Sequence, residues 1–118
     1  MDHYTEVFVG IDVAKTRNAV AIAEGERGGE ARYLGEVDSS EESMRRLVKR
    51  IAAKHKHVHF CYEAGPTGYG LHWVISALGY SCLVGAPSLI PRKPGDRVKT
   101  NRRDAIALGK LLRAGELN

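Results

Sequence analysis

The first apolar stretch of the chain, residues 7–11 (VFVGI), shows no alternation and stops at Asp12. An unbroken apolar run of that length predicts a strand buried on both faces, here with a carboxylate at its end. Residues 13–16 (VAKT) make a turn and residues 18–24 (NAVAIAE) resume an apolar run. So short a connection predicts an antiparallel hairpin, because a parallel return needs a dozen residues or more. After a glycine-rich turn at 25–29, residues 32–37 (RYLGEV) alternate as a third strand at the sheet edge. The period then changes. Met44, Leu47, Val48, Ile51 and Ala52 recur at three and four, which predicts a helix over Glu41–Lys54, with Ser39 and Glu42 at capping-box spacing. Residues 58–63 (VHFCYE) read as a fourth strand, Val58, Phe60 and Tyr62 on one face and His59, Cys61 and Glu63 on the other.

A second helical stripe, Leu71, Val74, Ile75 and Leu78, ends at Gly79, where a C′ glycine belongs. It leads to a fifth strand at 80–84, which a crossover helix places parallel to the fourth. Residues 85–100 hold Pro87, Pro91 and Pro94 with no periodicity, and loops of that length are generally functional or disordered. A last helix over 102–114 turns Ala105, Leu108, Leu111 and Leu112 inward, with Asn101 at its N-cap and Asp104 at N3. The order β-β-β-α-β-α-β-loop-α predicts an α/β fold, a mixed five-stranded sheet with helices on both faces. Ribonuclease H-like domains share that order.

Composition adds limits. With 118 residues, 43% hydrophobic and 27% charged, the chain is of ordinary globular make-up and the length of one domain. It has neither an apolar run long enough for a membrane span nor the basic start and apolar core of a signal peptide, so a cytoplasmic protein is expected. Cys61 and Cys82 each lie in a strand-like run without CxxC or zinc spacing, which predicts buried, reduced thiols. The formal charge is +4, and its distribution says more than its size. Arg92, Lys93, Arg97, Lys99, Arg102 and Arg103 crowd into residues 92–103 against one acid, Asp96. A second set, Arg45, Arg46, Lys49, Arg50, Lys54 and Lys56, follows the polar side of the first helix, where a solvated face is the ordinary outcome.

Candidate chemistry lies in three acids. Asp12 and Glu63 end the first and fourth strands, and Asp104 opens the last helix. If those strands are parallel neighbours, both carboxylates stand at the carboxyl edge of the sheet, where α/β folds place ligands. Acids gathered at one point repel one another without a cation, and Mg²⁺ or Mn²⁺ suits an all-oxygen donor set. Each acid also has a purely structural use. Asp12 can cap its turn, Glu63 can pair with Lys15, and Asp104 can cap its helix. His55, His57 and His59 straddle a helix end and a strand start, so solvated or edge positions are expected for them.

Three segments carry a family resemblance. They are Gly10-Ile11-Asp12-Val13-Ala14-Lys15, Tyr62-Glu63-Ala64-Gly65 with Thr67-Gly68, and Lys99-Thr100-Asn101-Arg102-Arg103-Asp104-Ala105 with Leu108, Leu111-Leu112 and Gly115. The chain resembles the DEDD-type insertion-sequence transposases, the group of the Piv invertase and the bridge-RNA-guided recombinases. The resemblance implies an N-terminal RuvC-like domain whose Asp-Glu-Asp-Asp site binds Mg²⁺, with DNA as partner, a guide RNA in some members, and a homo-oligomer at full length. Position by position, Asp12, Glu63 and Asp104 fall on three of the four acids. Asn101 falls on the remaining one, keeping an oxygen donor but removing a charge. The family's C-terminal serine-bearing domain has no counterpart in these residues. Lys15 and the basic residues of 92–103 are the expected contacts to DNA phosphates. Three other functions remain open on the residues alone: a self-sufficient RuvC-type nuclease, an actin- or sugar-kinase-like nucleotide domain, and a non-catalytic nucleic-acid-binding module.

Overall fold

The apolar run becomes the central strand of the sheet. The computed structural model describes residues 6–25, 30–63, 70–85 and 101–114, and of residues 101–104 the backbone alone. Its elements are β1 (Glu6–Asp12), β2 (Arg17–Glu24), β3 (Ala31–Asp38), α1 (Glu41–Lys54), β4 (His57–Glu63), α2 (Gly70–Ala77), β5 (Ser81–Gly85) and α3 (Asn101–Arg113). The strands form one sheet in the order β3-β2-β1-β4-β5. β1–β2 and β2–β3 are antiparallel, as the tight turns require, and β1–β4 and β4–β5 are parallel, as the intervening helices require.

Alternation assigns the faces. Val7, Val9 and Ile11 of β1, Val20 and Ile22 of β2, and Val58, Phe60 and Tyr62 of β4 form the larger core with Met44, Leu47, Val48 and Ile51 of α1 and Ile75 of α2. The opposite face is built from small residues. Gly10, Ala19, Ala21 and Ala23 lie beneath α3, with Ala105 packed on Ala19 and Ala21, and Cys61 on Leu108. A Cβ on Gly10 would run into the Ala105 carbonyl oxygen and the Gly109 nitrogen, and would sit 2.9 Å from Leu108 Cβ. Gly109 meets the strand from the other side, its own virtual Cβ 3.3 Å from the Phe8 carbonyl oxygen. α3 therefore lies backbone-to-backbone on β1 because neither element has a side chain at the crossing.

Two local expectations are corrected. The N-cap of α1 is Ser40, not Ser39: extended at φ −62° and ψ 153°, it accepts the Ser43 amide on its hydroxyl. Ser39 is drawn away to the β1–β2 turn, where its hydroxyl donates to the Lys15 carbonyl and its amide to Thr16. The third strand is not a plain alternating edge. Gly35 pairs with Val20 and Tyr33 with Ala21, which leaves Leu34 as an extra residue in a β-bulge. Gly35 takes φ +121°, a backbone that L side chains rarely adopt. The other shifts are of one residue: β2 starts at Arg17, β4 at His57, and α3 runs from Asn101 to Arg113. Lys56 follows the C-cap His55 instead of lying on α1. Gly79 has φ +94° just past α2, as its place in the sequence predicts. Among the described residues no helix is long and apolar enough to cross a membrane.

Both cysteines are buried free thiols. Cys61 Sγ donates to the Leu108 carbonyl at 3.4 Å, and burial pushes its thiol far up, while Cys82 is pushed up to about 12. A thiol reagent at pH 8 is thus expected to modify neither in the folded chain and both in guanidinium chloride. Gly10→Ala is expected to cost about 2–3 kcal/mol in urea unfolding, since neither backbone it strikes can yield. Gly109→Ala, with its looser contact, costs less.

Candidate active site

β1 and β4 deliver the two described acids. Their parallel register runs from Glu6↔His57 to Ile11↔Tyr62, so Asp12 and Glu63 each stand one residue further, side by side at the carboxyl edge. Neighbouring strands are about 4.8 Å apart. By alternation Asp12 shares the face of Phe8 and Gly10, and Glu63 that of His59 and Cys61, which is the α3 face. Asp12 is 8% exposed, and its Oδ2 has essentially no solvent-accessible surface. Glu63 is half-buried. Two carboxylates at adjacent strand ends supply the hard oxygen donors that a divalent cation prefers.

α3 brings the third segment to this edge. Gly109 lies over Phe8 and Ala105 over Gly10, so the helix runs antiparallel to β1. At its far end Arg113 donates to the Glu24 carbonyl at 2.9 Å, at the opposite edge of the sheet. Continuing one helical turn past Ala105 carries the backbone of Asn101–Asp104 over the end of β1 that holds Asp12. The side chains of Asn101, Arg102, Arg103 and Asp104 lie outside the described residues, as do Arg92, Lys93, Arg97 and Lys99. Among the described residues, no three His, Cys, Asp or Glu side chains gather as a metal site. Asp104, the third acid expected from the sequence, falls in the first turn of α3.

Lys15 is exposed on the β1–β2 turn at the same edge. It borders a cavity of about 240 Å³ between that turn and the starts of α1 and α2, on the face of the sheet opposite α3. Of the three histidines His57 is solvated as expected, while His59 is not: it is half-buried on β4, an interior strand, where an acid and an aromatic ring hold it. His55 caps α1, His57 is exposed, and His59 pairs with Glu6 at 2.7 Å while stacking on Phe8.

Asn18 was not visible as a site residue in the sequence. It is 2% exposed, its Oδ1 accepts the Ala14 amide at 3.0 Å and its Nδ2 donates to Met44 Sδ at 3.4 Å. It ties the turn after Asp12 to α1, so the carboxylate leaves a braced backbone. The available signal was an amide opening an otherwise apolar strand. Tyr62 has a similar part on β4: its hydroxyl accepts the His72 amide at 3.1 Å and so positions α2 beside the strand that ends in Glu63.

The transposase family model DEDD_Tnp_IS110 matches residues 9–118. The transposase-like protein y4qE of Sinorhizobium fredii (strain NBRC 101917 / NGR234) is 68% identical over 97% of this chain and 29% of its own length. The transposase for insertion sequence element IS1533 of Leptospira borgpetersenii is 35% identical over 92% of this chain and 31% of its own. The chain thus spans about a third of the length of these relatives. Among solved structures, the large terminase nuclease of the thermophilic phage G20c superposes with a TM-score of 0.58 at 12% identity, over 89% of this chain and 81% of that one. Thermus thermophilus RuvC superposes with 0.55 at 16% identity, over 92% and 96%. The likeness to RuvC bears out the ribonuclease H-like fold, and the sequence matches carry the family. The chain belongs to the DEDD-type IS110 transposase family, on a RuvC-like fold.

Proposed function

We propose that the chain is the metal-binding catalytic domain of a DNA transposase, an N-terminal unit that acts together with a C-terminal serine-bearing domain. The observation that carries the reading is the pairing of Asp12 and Glu63 on adjacent parallel strands, under the first turn of α3. Their donor set fits a hard divalent ion: carboxylate oxygens only, one of them sealed from water in a rigid strand. Asp12, Glu63 and Asp104 would hold Mg²⁺ or Mn²⁺, with Asn101 as a neutral oxygen donor. Such an ion supplies Lewis-acid polarisation of a phosphodiester and charge stabilisation at the leaving oxygen.

The protein's own residues do the rest. Asp12 and Glu63 keep fixed positions because the sheet register and the Ala14–Asn18–Met44 links leave their backbones little freedom. Lys15, exposed on the turn after Asp12, is the candidate contact to a phosphate of the cleaved strand, and the basic residues of 92–103 are the candidates for its neighbours. Asn101 in place of a fourth acid lowers the charge of the site by one. One such edge acts on one strand, so exchange between two strands calls for at least two copies, and a homo-oligomer of the full-length protein supplies them. A guide RNA, where one serves, would choose the target by base pairing and leave phosphoryl transfer to this edge.

In the full-length protein, Asp12→Asn and Glu63→Gln should each lower Mg²⁺-dependent DNA cleavage by at least about 10²-fold without changing the circular dichroism spectrum. Mn²⁺ at 100 times its dissociation constant should stabilise the wild type by about 2.7 kcal/mol and shift its Tm upward. Asp12→Asn should remove that shift. Asn101→Asp should lower the Mn²⁺ concentration needed for the half-maximal shift. Cleavage indifferent to EDTA and to Asp12→Asn would end this reading.

A further inference from the structure

The β-bulge in β3 has an effect on the far side of the sheet. In an uninterrupted strand, Arg32 and Val37 would point to opposite faces, being five residues apart. The extra residue Leu34 reverses the alternation. Arg32 then pairs with Ile22 and Val37 with Asn18, and both face α1. On α1, Arg46, Arg50 and Lys54 recur at intervals of four, a straight row of about 12 Å along the side toward β3.

Between this row and β3 runs a groove of two depressions that share Arg50. One, of about 250 Å³, lies at the Asp38 end and is bordered by Arg46. The other, of about 210 Å³, is bordered by Arg32, Lys54, His55 and the exposed Leu34. Four cations from two elements thus line one channel. Among the described residues Arg46 pairs with Glu42 at 3.2 Å, while Arg32, Arg50 and Lys54 are in no salt bridge. The acids nearby are Asp38, engaged by hydrogen bonds from Ser40, and Glu24, beside His55. Burial first, and then Arg32, push the His55 ring below its usual pKa, which makes it a neutral neighbour of the channel at pH 7.

We propose that this groove grips the phosphate backbone of double-stranded DNA, as a second contact apart from the carboxylate edge. Guanidinium forks match phosphate oxygens in pairs, and a row of cations along one side follows a strand of regularly spaced charges. Among the described residues no Phe, Tyr or Trp borders either depression, and the one ring there is the His55 imidazole, so the channel offers little platform for unstacked bases and suits a duplex. Its upper end opens at the edge that bears Asp12. There the chain after Asp38 is hydrogen-bonded to the β1–β2 turn, Ser39 N to Thr16 O at 2.9 Å. A duplex seated at Asp12 and Glu63 can therefore continue down the α1–β3 side. This assignment rests on the transposase reading for its choice of DNA.

The test is fluorescence anisotropy of a labelled 30-base-pair duplex with the full-length protein in EDTA, over a range of NaCl concentrations. The variant Arg32→Ala/Arg50→Ala/Lys54→Ala should bind about tenfold more weakly or worse, and its log K against log[salt] slope should fall by about 2.7, the share of three phosphate contacts. Lys49→Ala, on the outward side of α1, should change the slope by less than half a unit, and Arg50→Lys should keep most of the affinity. Circular dichroism of each variant checks that these exposed substitutions leave the fold intact. A triple variant with wild-type affinity and slope overturns the groove. So does one that binds DNA as wild type but changes the oligomeric state by light scattering, which would assign the channel to a protein partner. A wild type that binds no duplex at all would instead overturn the transposase reading on which the choice of DNA depends.

Discussion

The fold depends on one crossing, where α3 presses its backbone onto β1 at Gly10. No side chain larger than hydrogen fits between the strand and the Ala105 carbonyl, and Gly109 leaves the matching gap on the helix. The alanines at 19, 21 and 23 extend this low floor under the helix. Depth and direction are fixed together, because a helix seated on backbone has little room to slide or rotate. α3 arrives from a distant part of the sequence, yet its first turn ends over the carboxyl end of β1. Without the crossing, Asp12 and Glu63 would be two acids at a strand edge with nothing above them.

Charge is the second constraint. A carboxylate buried at the end of an apolar strand is costly unless it is hydrogen-bonded, paired or bound to a metal. The surroundings of Asp12 raise the stakes further. Asn18 braces the turn behind it, and strands on both sides hold its backbone. Stiffness of this kind serves ion binding, where donors must be in place before the ion arrives, and does little for a surface cap. On the opposite face, positive charge is organised by a bulge on one element and a four-residue repeat on another. The same small sheet thus separates an acidic edge from a basic flank.

Much of this was legible in the sequence. The alternation in β4 assigned Val58, Phe60 and Tyr62 to the core and Glu63 to the other face, and the link lengths set each strand pair parallel or antiparallel. Gly79 announced the end of α2. What escaped depended on contacts between segments far apart. Gly10 is merely one small residue in an apolar run until α3 is placed on it. Asn18 looks like a strand-start amide until Met44 and Ala14 close around it. Ser39 and Ser40 both satisfy N-cap chemistry, and only the pull of the β1–β2 turn on Ser39 decides between them. The bulge at Leu34 could not be read from RYLGEV, whose alternation is compatible with an unbroken strand. Asp104 stood out as an acid opening the last helix, Asn101 was found through the family pattern, and both fall in the first turn of α3.

The account stands on Asp12, Glu63 and Asp104 meeting at one ion. Crystals of the full-length protein soaked in Mn²⁺, with diffraction recorded at the manganese absorption edge, test it directly. The account predicts an anomalous peak at the carboxyl edge of β1 and β4, bounded by carboxylate oxygens of all three residues. A peak at His55–His59, or Asp104 turned away from an ion held elsewhere, would contradict it.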